Sequence, residues 1–178
     1  SSWGCRARYP IPVMRSEIRR FGRGFVYAWN GIRAAVQQER NFRFHLCAAC
    51  YALAACALAE LQAAEWCIVI LCIAAVLGME LMNSAVERAV DKPDTTHWWS
   101  AGAAKDMAAG GVLFMALGAL AAGLCLLAPR LPVIWGNLCR MPAVGAGGIL
   151  LLGPVYWFIF RYRNAEKKGE TPNGKTDP

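Results

Sequence analysis

The chain of 178 residues is 57% hydrophobic and 17% charged, with a formal net charge of +7. This composition argues against an ordinary soluble domain, in which about 25% of the residues are charged. It favours an integral membrane protein. Because lipid requires every backbone polar group to be satisfied within the protein, we predict an all-α membrane fold.

The first predicted element is a basic amphipathic helix that follows an irregular segment, residues 1–14. From residue 15 onwards, apolar side chains recur every three or four residues, at Ile18, Phe21, Phe25, Trp29, Ile32 and Val36. Arginines occupy many of the positions between them, a pattern typical of a helix that lies in the membrane interface. A helix packed on a soluble neighbour is the alternative, and the apolar spans that follow favour the interface.

The junction, which we define as residues 38–45, connects this helix to the first apolar span at 46–61. It is a polar and aromatic segment at the cytoplasmic mouth of that span, and it contains Glu39 and His45. Each taken alone is interpreted more simply, Glu39 as a surface charge and His45 as an interfacial side chain. The span itself is rich in Ala and Cys, so other helices can approach it closely.

Six of the eight cysteines fall inside apolar spans: Cys47, Cys50, Cys56, Cys67, Cys72 and Cys125. The spacing Cys47-x-x-Cys50 is that of a redox or zinc site, but no second pair of ligands accompanies it. We therefore predict that these cysteines are small buried core residues.

The second span, 66 to about 85, leads directly into a polar helix face. Glu80, Asn83, Glu87 and Asp91 have offsets of 3, 7 and 11, which places their side chains within about 80° on a helix. A charged group at mid-bilayer costs about 2.5–3.5 kcal/mol, so such residues usually mark function. A solvated acidic stripe on an ordinary amphipathic helix is the alternative, which the attached apolar span makes the weaker one.

Two further spans follow an interfacial loop at 92–102, which contains His97 and two Trp. Lys105 and Asp106 open the third span, 107–128, where Asp106 could also serve as a helix cap. Residues 130–142 are expected to form an outer connection, 143–160 an extra fourth span, and 164–178 a disordered basic tail. Because Pro154 and several glycines weaken the fourth helix, a re-entrant or surface-lying helix is the alternative for 143–160.

Basic residues are concentrated on one predicted side of the membrane. Nine Arg precede the first span, whereas the first connection holds Glu60 and Glu65 with no Lys or Arg, and the tail is basic again. The positive-inside rule then predicts four spans with both termini in the cytoplasm. Anionic lipid suits these basic segments better than nucleic acid does.

The polar residues suit phosphoryl transfer, although the familiar phosphate-binding loops and the zinc-protease motif are missing from the sequence. Carboxylates suit Mg²⁺, Lys and Arg suit phosphate oxygens, and a Glu beside a hydroxyl can act as general base. We therefore favour a lipid-alcohol phosphotransferase. A small channel or transporter and a non-enzymatic scaffold are the alternatives, but the first, third and fourth spans hold no ionisable residue deep in their apolar runs.

One long motif, Glu80-Leu-Met-Asn-Ser-Ala-Val-Glu-Arg-Ala-Val-Asp91 followed by Lys105-Asp106, resembles the signature of the prokaryotic diacylglycerol kinase and undecaprenol kinase family. The resemblance covers 20–127 and implies a homotrimer of three-span subunits in the bacterial inner membrane, with active sites on the cytoplasmic side. The junction and the segment 104–110 look more like the undecaprenol kinase branch. The fourth span and the tail are additional to the family pattern.

The resemblance also implies residue roles. Glu80 would be the general base, supported by Asn83, and Glu39 and Glu87 would hold Mg²⁺ with ATP. The nucleotide would be contacted by Arg20, Tyr27, Glu39, Glu87, Asp91, Lys105 and Asp106. The lipid substrate would be contacted by Phe42, Arg43 and Glu80. In this scheme residues 15–128 form the lipid kinase domain and 129–163 the outer connection and fourth span.

Overall fold

The computed structural model describes residues 11–91 and 99–161, with side chains for 20–91 and 101–161. All regular elements within these ranges are helical. They are α1 (Ile11–Gln38), α2 (Arg40–Leu58), α3 (Ala63–Val90), α4 (Trp99–Leu127), a 3₁₀ turn (Ala128–Arg130), α5 (Leu131–Arg140), α6 (Pro142–Leu150) and α7 (Leu152–Phe160).

Four helical stretches are long and apolar enough to cross a membrane: Arg40–Leu58, Ala63–Val90, Ala101–Arg140 and Pro142–Phe160. The predicted all-α membrane fold with a fourth span is thereby confirmed. α3 is longer than the predicted span of 66 to about 85, because polar residues at both of its ends continue the helix. Glu80 and Glu87 lie inside it.

Helix α1 begins at Ile11, four residues before the predicted start of the amphipathic helix. The chain forms two compact units that divide within α1, one up to Ala34 and one from Ala35. In the first unit the rings of Phe21 and Phe25 meet edge to face at 5.1 Å. The location of α1 in the membrane interface stays a prediction.

α1 ends at the junction because Glu39 adopts an extended conformation, with φ −101° and ψ 114°. Arg43 stabilises this break. Its side chain donates from Nη1 to the carbonyls of Val36 and Gln37, at 3.0 and 3.1 Å. Carbonyls at a helix C-terminus have no partner within the helix, and a buried guanidinium can satisfy several of them.

α3 and α4 form the most extensive helix pair, and the flexible end of the Met79 side chain reaches Gly111 within it. A Cβ built on Gly111 would lie 2.6 Å from Cε of Met79. Both helices are otherwise rich in apolar side chains that the chain itself leaves exposed, such as Leu71, Met107 and Phe114. These surfaces suit lipid or a second protein surface, since apolar faces of spanning helices need not be buried within the subunit.

The opposite end of the bundle from Glu80, where α2 turns into α3, is held by a small apolar cluster. Its buried members are Cys56, Ala59, Leu61 and Val69. Polar contacts hold the 3₁₀ turn and α5 against the same turn. Arg130 of the 3₁₀ turn binds Glu65 at 2.7 Å, and Asn137 of α5 donates to the Leu58 carbonyl at 3.0 Å. The predicted outer connection is thus largely a helix, α5. Its Ile134 packs on this cluster, while the exposed Trp135 faces outward.

The fourth span is two short helices, α6 and α7, rather than one. Pro154 has no N–H to donate to the Leu150 carbonyl, and its ring would clash with that carbonyl in a continuous helix. α6 accordingly ends at Leu150. α7 packs on α2, where Arg43 donates from Nη2 to the Ile159 carbonyl at 3.0 Å and the Arg40 guanidinium lies 5.7 Å from the centre of the Phe160 ring.

The prediction for the cysteines is only partly right. Cys56 is buried, whereas Cys50, Cys67 and Cys125 are exposed on helix faces that turn away from the other helices of the chain. Helical periodicity in an apolar span does not distinguish a face that packs on protein from one that meets lipid, which accounts for the error. Of the loop predicted at 92–102, residues 92–98 lie outside the described residues, as does the tail at 164–178, whereas 99–102 are already helical in α4.

We predict that replacing Arg43 with Met lowers the stability of the folded chain. The change leaves the carbonyls of Val36, Gln37 and Ile159 without these donors, and unmade bonds to a charged group cost about 1.5–3 kcal/mol each. Thermal unfolding in detergent should show a midpoint lower by at least about 4 °C. Arg140→Met, at an exposed position, is the control and should leave the midpoint unchanged, and equal midpoints for both variants would contradict this role of Arg43.

Candidate active site

The polar face predicted on α3 is real, and its deepest members are buried. Glu80, Asn83 and Ser84 are the buried polar residues of this helix. The amide Nδ2 of Asn83 donates to Oε1 of Glu87 at 2.9 Å. One turn of helix separates these two residues, so the hydrogen bond follows from the i, i+4 spacing seen in the sequence.

Oδ1 of Asn83 is buried and has no hydrogen-bond partner within the described part of the chain. A buried acceptor left unpaired costs about 1–3 kcal/mol, so such an atom calls for an explanation. Asn83 lies on the same face as Glu80 and Glu87 and donates from Nδ2 to Glu87. An oxygen of this kind is a ligand of the type that Mg²⁺ and other hard cations prefer.

Glu80 contacts a residue that the sequence alone did not place in the site. Nε2 of His45, on the first turns of α2, lies 3.3 Å from Oε1 of Glu80. The side chain of Glu80 is only 5% exposed, whereas that of His45 is 21% exposed. The acidic face of α3 is therefore closed at its deep end by an imidazole from α2.

Glu39 of the junction reaches the same region and pairs with Arg88 of α3 at 3.0 Å. The pair is partly exposed, so it contributes at most about 1 kcal/mol to stability. The pair matters mainly for geometry, because it keeps Glu39, the extended residue between α1 and α2, beside the end of α3. Arg88, like His45, was not predicted as part of the site.

The end of α3 meets the start of α4 through a second ion pair. Nζ of Lys105 binds Oδ1 of Asp91, which is the residue that follows α3. This contact brings the two halves of the motif together. Asp106 is exposed on the next position of α4.

Four other predicted site residues have different surroundings. Arg20 and Tyr27 belong to the unit that ends at Ala34, and both are exposed. Phe42 and Arg43 are buried, and Arg43 is bonded to backbone carbonyls of α1 and α7. These backbone contacts give Arg43 a structural role. Lipid contact by Phe42 and Arg43, and nucleotide contact by Arg20 and Tyr27, stay predictions.

His45 and Arg88 were missed because each acts across two helices. Helical spacing shows which residues share a face of one helix, but it does not show the register of α2 against α3. His45 does carry a signal, since it is an imidazole at the start of an apolar span beside several carboxylates. Among the described residues, no three His, Cys, Asp or Glu side chains are grouped closely enough to hold a metal by themselves.

The acidic face, the junction and the two-part motif all lie in the part of the chain that matches a known protein family. The family model of prokaryotic diacylglycerol kinase matches residues 26–127. The chain belongs to the prokaryotic diacylglycerol kinase family. It is therefore a lipid kinase of the diacylglycerol and undecaprenol kinase type, with multiple membrane spans and bacterial relatives.

Similar proteins carry both names of the family. The chain is 42% identical to the undecaprenol kinase of Bacillus subtilis over 117 residues, which cover 66% of this chain and 95% of that one. It is 38% identical to a diacylglycerol kinase of Synechocystis over 108 residues, covering 60% and 62%. The diacylglycerol kinase of Escherichia coli K12 is 32% identical over 87 residues, covering 49% and 71%. No solved structure matches this chain.

We predict that Asn83→Ala reduces activity without reducing stability. The variant loses the hydrogen bond to Glu87 but also removes a buried acceptor that has no partner, so the two effects offset and the free energy of unfolding should change by less than about 1 kcal/mol. Lipid kinase activity should fall at least about tenfold, because Glu87 loses the amide that orients it. Ser84→Ala, at the neighbouring buried position, is the control and should retain activity. Parallel losses of stability and activity in Asn83→Ala would show that the residue is structural.

Proposed function

We propose that this chain transfers the terminal phosphoryl group of ATP to the hydroxyl of a membrane lipid alcohol. The observation that carries the proposal is the buried carboxylate of Glu80 at the deep end of a polar helix face. Membership of a lipid kinase family supplies the reaction class, and the burial of Glu80 inside an apolar span supports a role close to lipid. Such a position suits a base that meets the acceptor hydroxyl at the edge of the bilayer.

Glu80 and Glu87 are two helical turns apart, so their backbone positions differ by about 10 Å along α3. That separation is too large for one ion to bind both carboxylates directly. We therefore assign them different tasks. Glu80 accepts the proton of the lipid hydroxyl, and Glu87 binds on the nucleotide side, where the helix becomes more exposed.

The residues present fit a Mg²⁺ ion brought by the nucleotide. Glu87 and Glu39 would hold it, and the unpartnered oxygen of Asn83 is an additional donor of the right type. Fewer than three protein carboxylates suffice, since Mg²⁺ usually keeps water and substrate phosphates as its other ligands. When bound, Mg²⁺ neutralises charge on the phosphates. Arg88 has to release Glu39 for this to happen, and an exposed ion pair costs little to break.

Lys105 and Asp106 are proposed to contact ATP. The ammonium group of Lys105 is directed by Asp91, which lies at the end of α3. Lysine binds phosphate as a point charge, and the neighbouring Asp106 is exposed and free to accept hydrogen bonds from ribose or base hydroxyl and amino groups. The two carboxylates and the lysine together give a polar rim beside Glu87.

The cytoplasm is the proposed side of this site, because the basic junction and the basic C-terminus both flank spans at that end. The exposed apolar faces of α3 and α4 are compatible with the homotrimer that the resemblance implied. The mass of the detergent-solubilised particle tests the trimer. A particle with the mass of one chain would rule it out.

A polyprenol is expected to be phosphorylated at least as well as diacylglycerol. The relative covered over 95% of its own length is named an undecaprenol kinase, and the junction resembles that branch. The test is to give labelled ATP to inverted membrane vesicles containing the chain, with each lipid alcohol in the same detergent or lipid mixture. Label should appear in polyprenyl phosphate. A strong preference for diacylglycerol would overturn the acceptor assignment, and labelling only from the outside of right-side-out vesicles would overturn the sidedness.

We predict different defects for the two glutamates. Glu80→Gln keeps size and hydrogen bonding but removes the base, so turnover should fall by about 10²–10⁴ while the affinity for Mg-ATP stays near that of the wild type. Glu87→Gln should weaken Mg-ATP binding, and higher Mg²⁺ should restore part of it. Calorimetric ATP titrations and turnover across a Mg²⁺ series measure both. If Glu80→Gln loses nucleotide binding and Glu87→Gln keeps it, the two assignments are reversed.

A further inference from the structure

A buried general base needs a way to lose its proton after each turnover. The side chain of Glu80 is only 5% exposed, and the residues around it on α3 are largely apolar. Direct transfer from its carboxyl group to bulk water is therefore obstructed. The protein must supply a second group that can take the proton, or the base stays protonated and inactive.

His45 is placed to be that group. Its Nε2 lies 3.3 Å from Oε1 of Glu80, a distance that closes to a hydrogen bond with a small movement of either side chain. Its own side chain is four times as exposed as that of Glu80, at 21% against 5%. His45 thus connects the buried carboxylate to the more open end of the site.

Neighbouring groups orient the imidazole and place negative charge near it. The Phe44 and His45 rings meet nearly perpendicular, with centroids 5.4 Å apart, which restricts the orientation of the imidazole. Among the described residues, Glu87 on α3 and Glu39 at the junction are charged groups that act electrostatically on Glu80. Both are partly exposed carboxylates, and their negative charge attracts a cation forming on His45. Within the described residues no other side chain is bonded to Glu80.

We propose that His45 relays the substrate proton from Glu80 to solvent. The inference rests on the proposed function of Glu80. As the bond from the lipid oxygen to the terminal phosphorus forms and the bond from that phosphorus to ADP breaks, the hydroxyl proton moves to the carboxylate of Glu80. The carboxyl O–H then breaks, and the proton binds the lone pair of Nε2 on neutral His45. The imidazolium releases its Nδ1 proton to water, and exchange with water restores the starting tautomer.

His45 is a positioning and relay residue in this scheme, because it acts through Glu80 and does not touch the substrate. Two substitutions separate relay from simple orientation. Gln can hydrogen bond to Glu80 but cannot carry a proton at neutral pH, whereas Ala removes the side chain and leaves space for an added imidazole. A relay fails in both variants. A purely orienting residue would be replaced by Gln with little loss.

The experiment measures turnover of full-length His45→Ala and His45→Gln at saturating ATP and lipid, with and without added imidazole. We expect kcat to fall at least about tenfold in both, as general acid–base steps contribute about 10²–10⁴, while KM for ATP changes less than about twofold. Imidazole should restore part of kcat to His45→Ala and none to Glu80→Gln. Asn41→Ala, an exposed polar residue of the junction, is the matched control and should retain the wild-type kcat.

The dependence of kcat on buffer concentration gives a readout that a structural defect would not change. Loss of the relay should make kcat of His45→Ala depend on buffer concentration, because small buffer bases then take the proton from Glu80. Wild-type kcat in His45→Gln would overturn the proposal, and so would a loss in His45→Ala that neither imidazole nor buffer restores. An inactive wild-type chain with every lipid alcohol would instead overturn the function of the site itself, so the two failures are distinct.

Discussion

The burial of a carboxylate in an apolar span is the constraint on which this structure depends. Glu80 lies among Met79, Leu81 and Val76 on a helix that is long and apolar enough to cross a membrane. A lone charge in such surroundings is unfavourable, so the chain has to bring polar groups to it from other elements. The imidazole of His45 from α2 serves that need, while Glu39 and Glu87 on the same side have partners of their own, Arg88 and Asn83.

The same demand for partners operates on the backbone. The break between α1 and α2 leaves carbonyls at a helix end, and the buried guanidinium of Arg43 satisfies two of them while binding a third on α7. The Arg43 side chain thus links the start of α2 to the end of α1 and to the end of α7. Arg43 of the junction therefore stabilises the helix break, and Glu39 of the same junction pairs with Arg88 beside the acidic face.

Much of this could be predicted from the sequence because it is local. The acidic face follows from the spacing of Glu80, Asn83 and Glu87 on one helix, and the four spans follow from the length of the apolar runs. The break in the fourth span is also encoded locally, by Pro154. The contacts of His45 and Arg88 could not be predicted, since they depend on how far one helix slides along another. Arg43 was expected at the substrate because the resemblance implied it, whereas its burial beside the carbonyls at the end of α1 is visible only in three dimensions.

The attachment of α7 to α2 also determines which surfaces the subunit has left to offer. Ile159 and Phe160 rest on the first turn of α2, and Tyr51 further along α2 reaches the Gly148 carbonyl of α6 at 3.4 Å. One side of the first span is consequently covered by the chain's own C-terminal helices, outside the region that the family model matches. A neighbouring copy or a diffusing lipid has to approach from another side. The glycine-rich α4, with Phe114 and Met107 pointing outward, is the broad apolar surface that stays open.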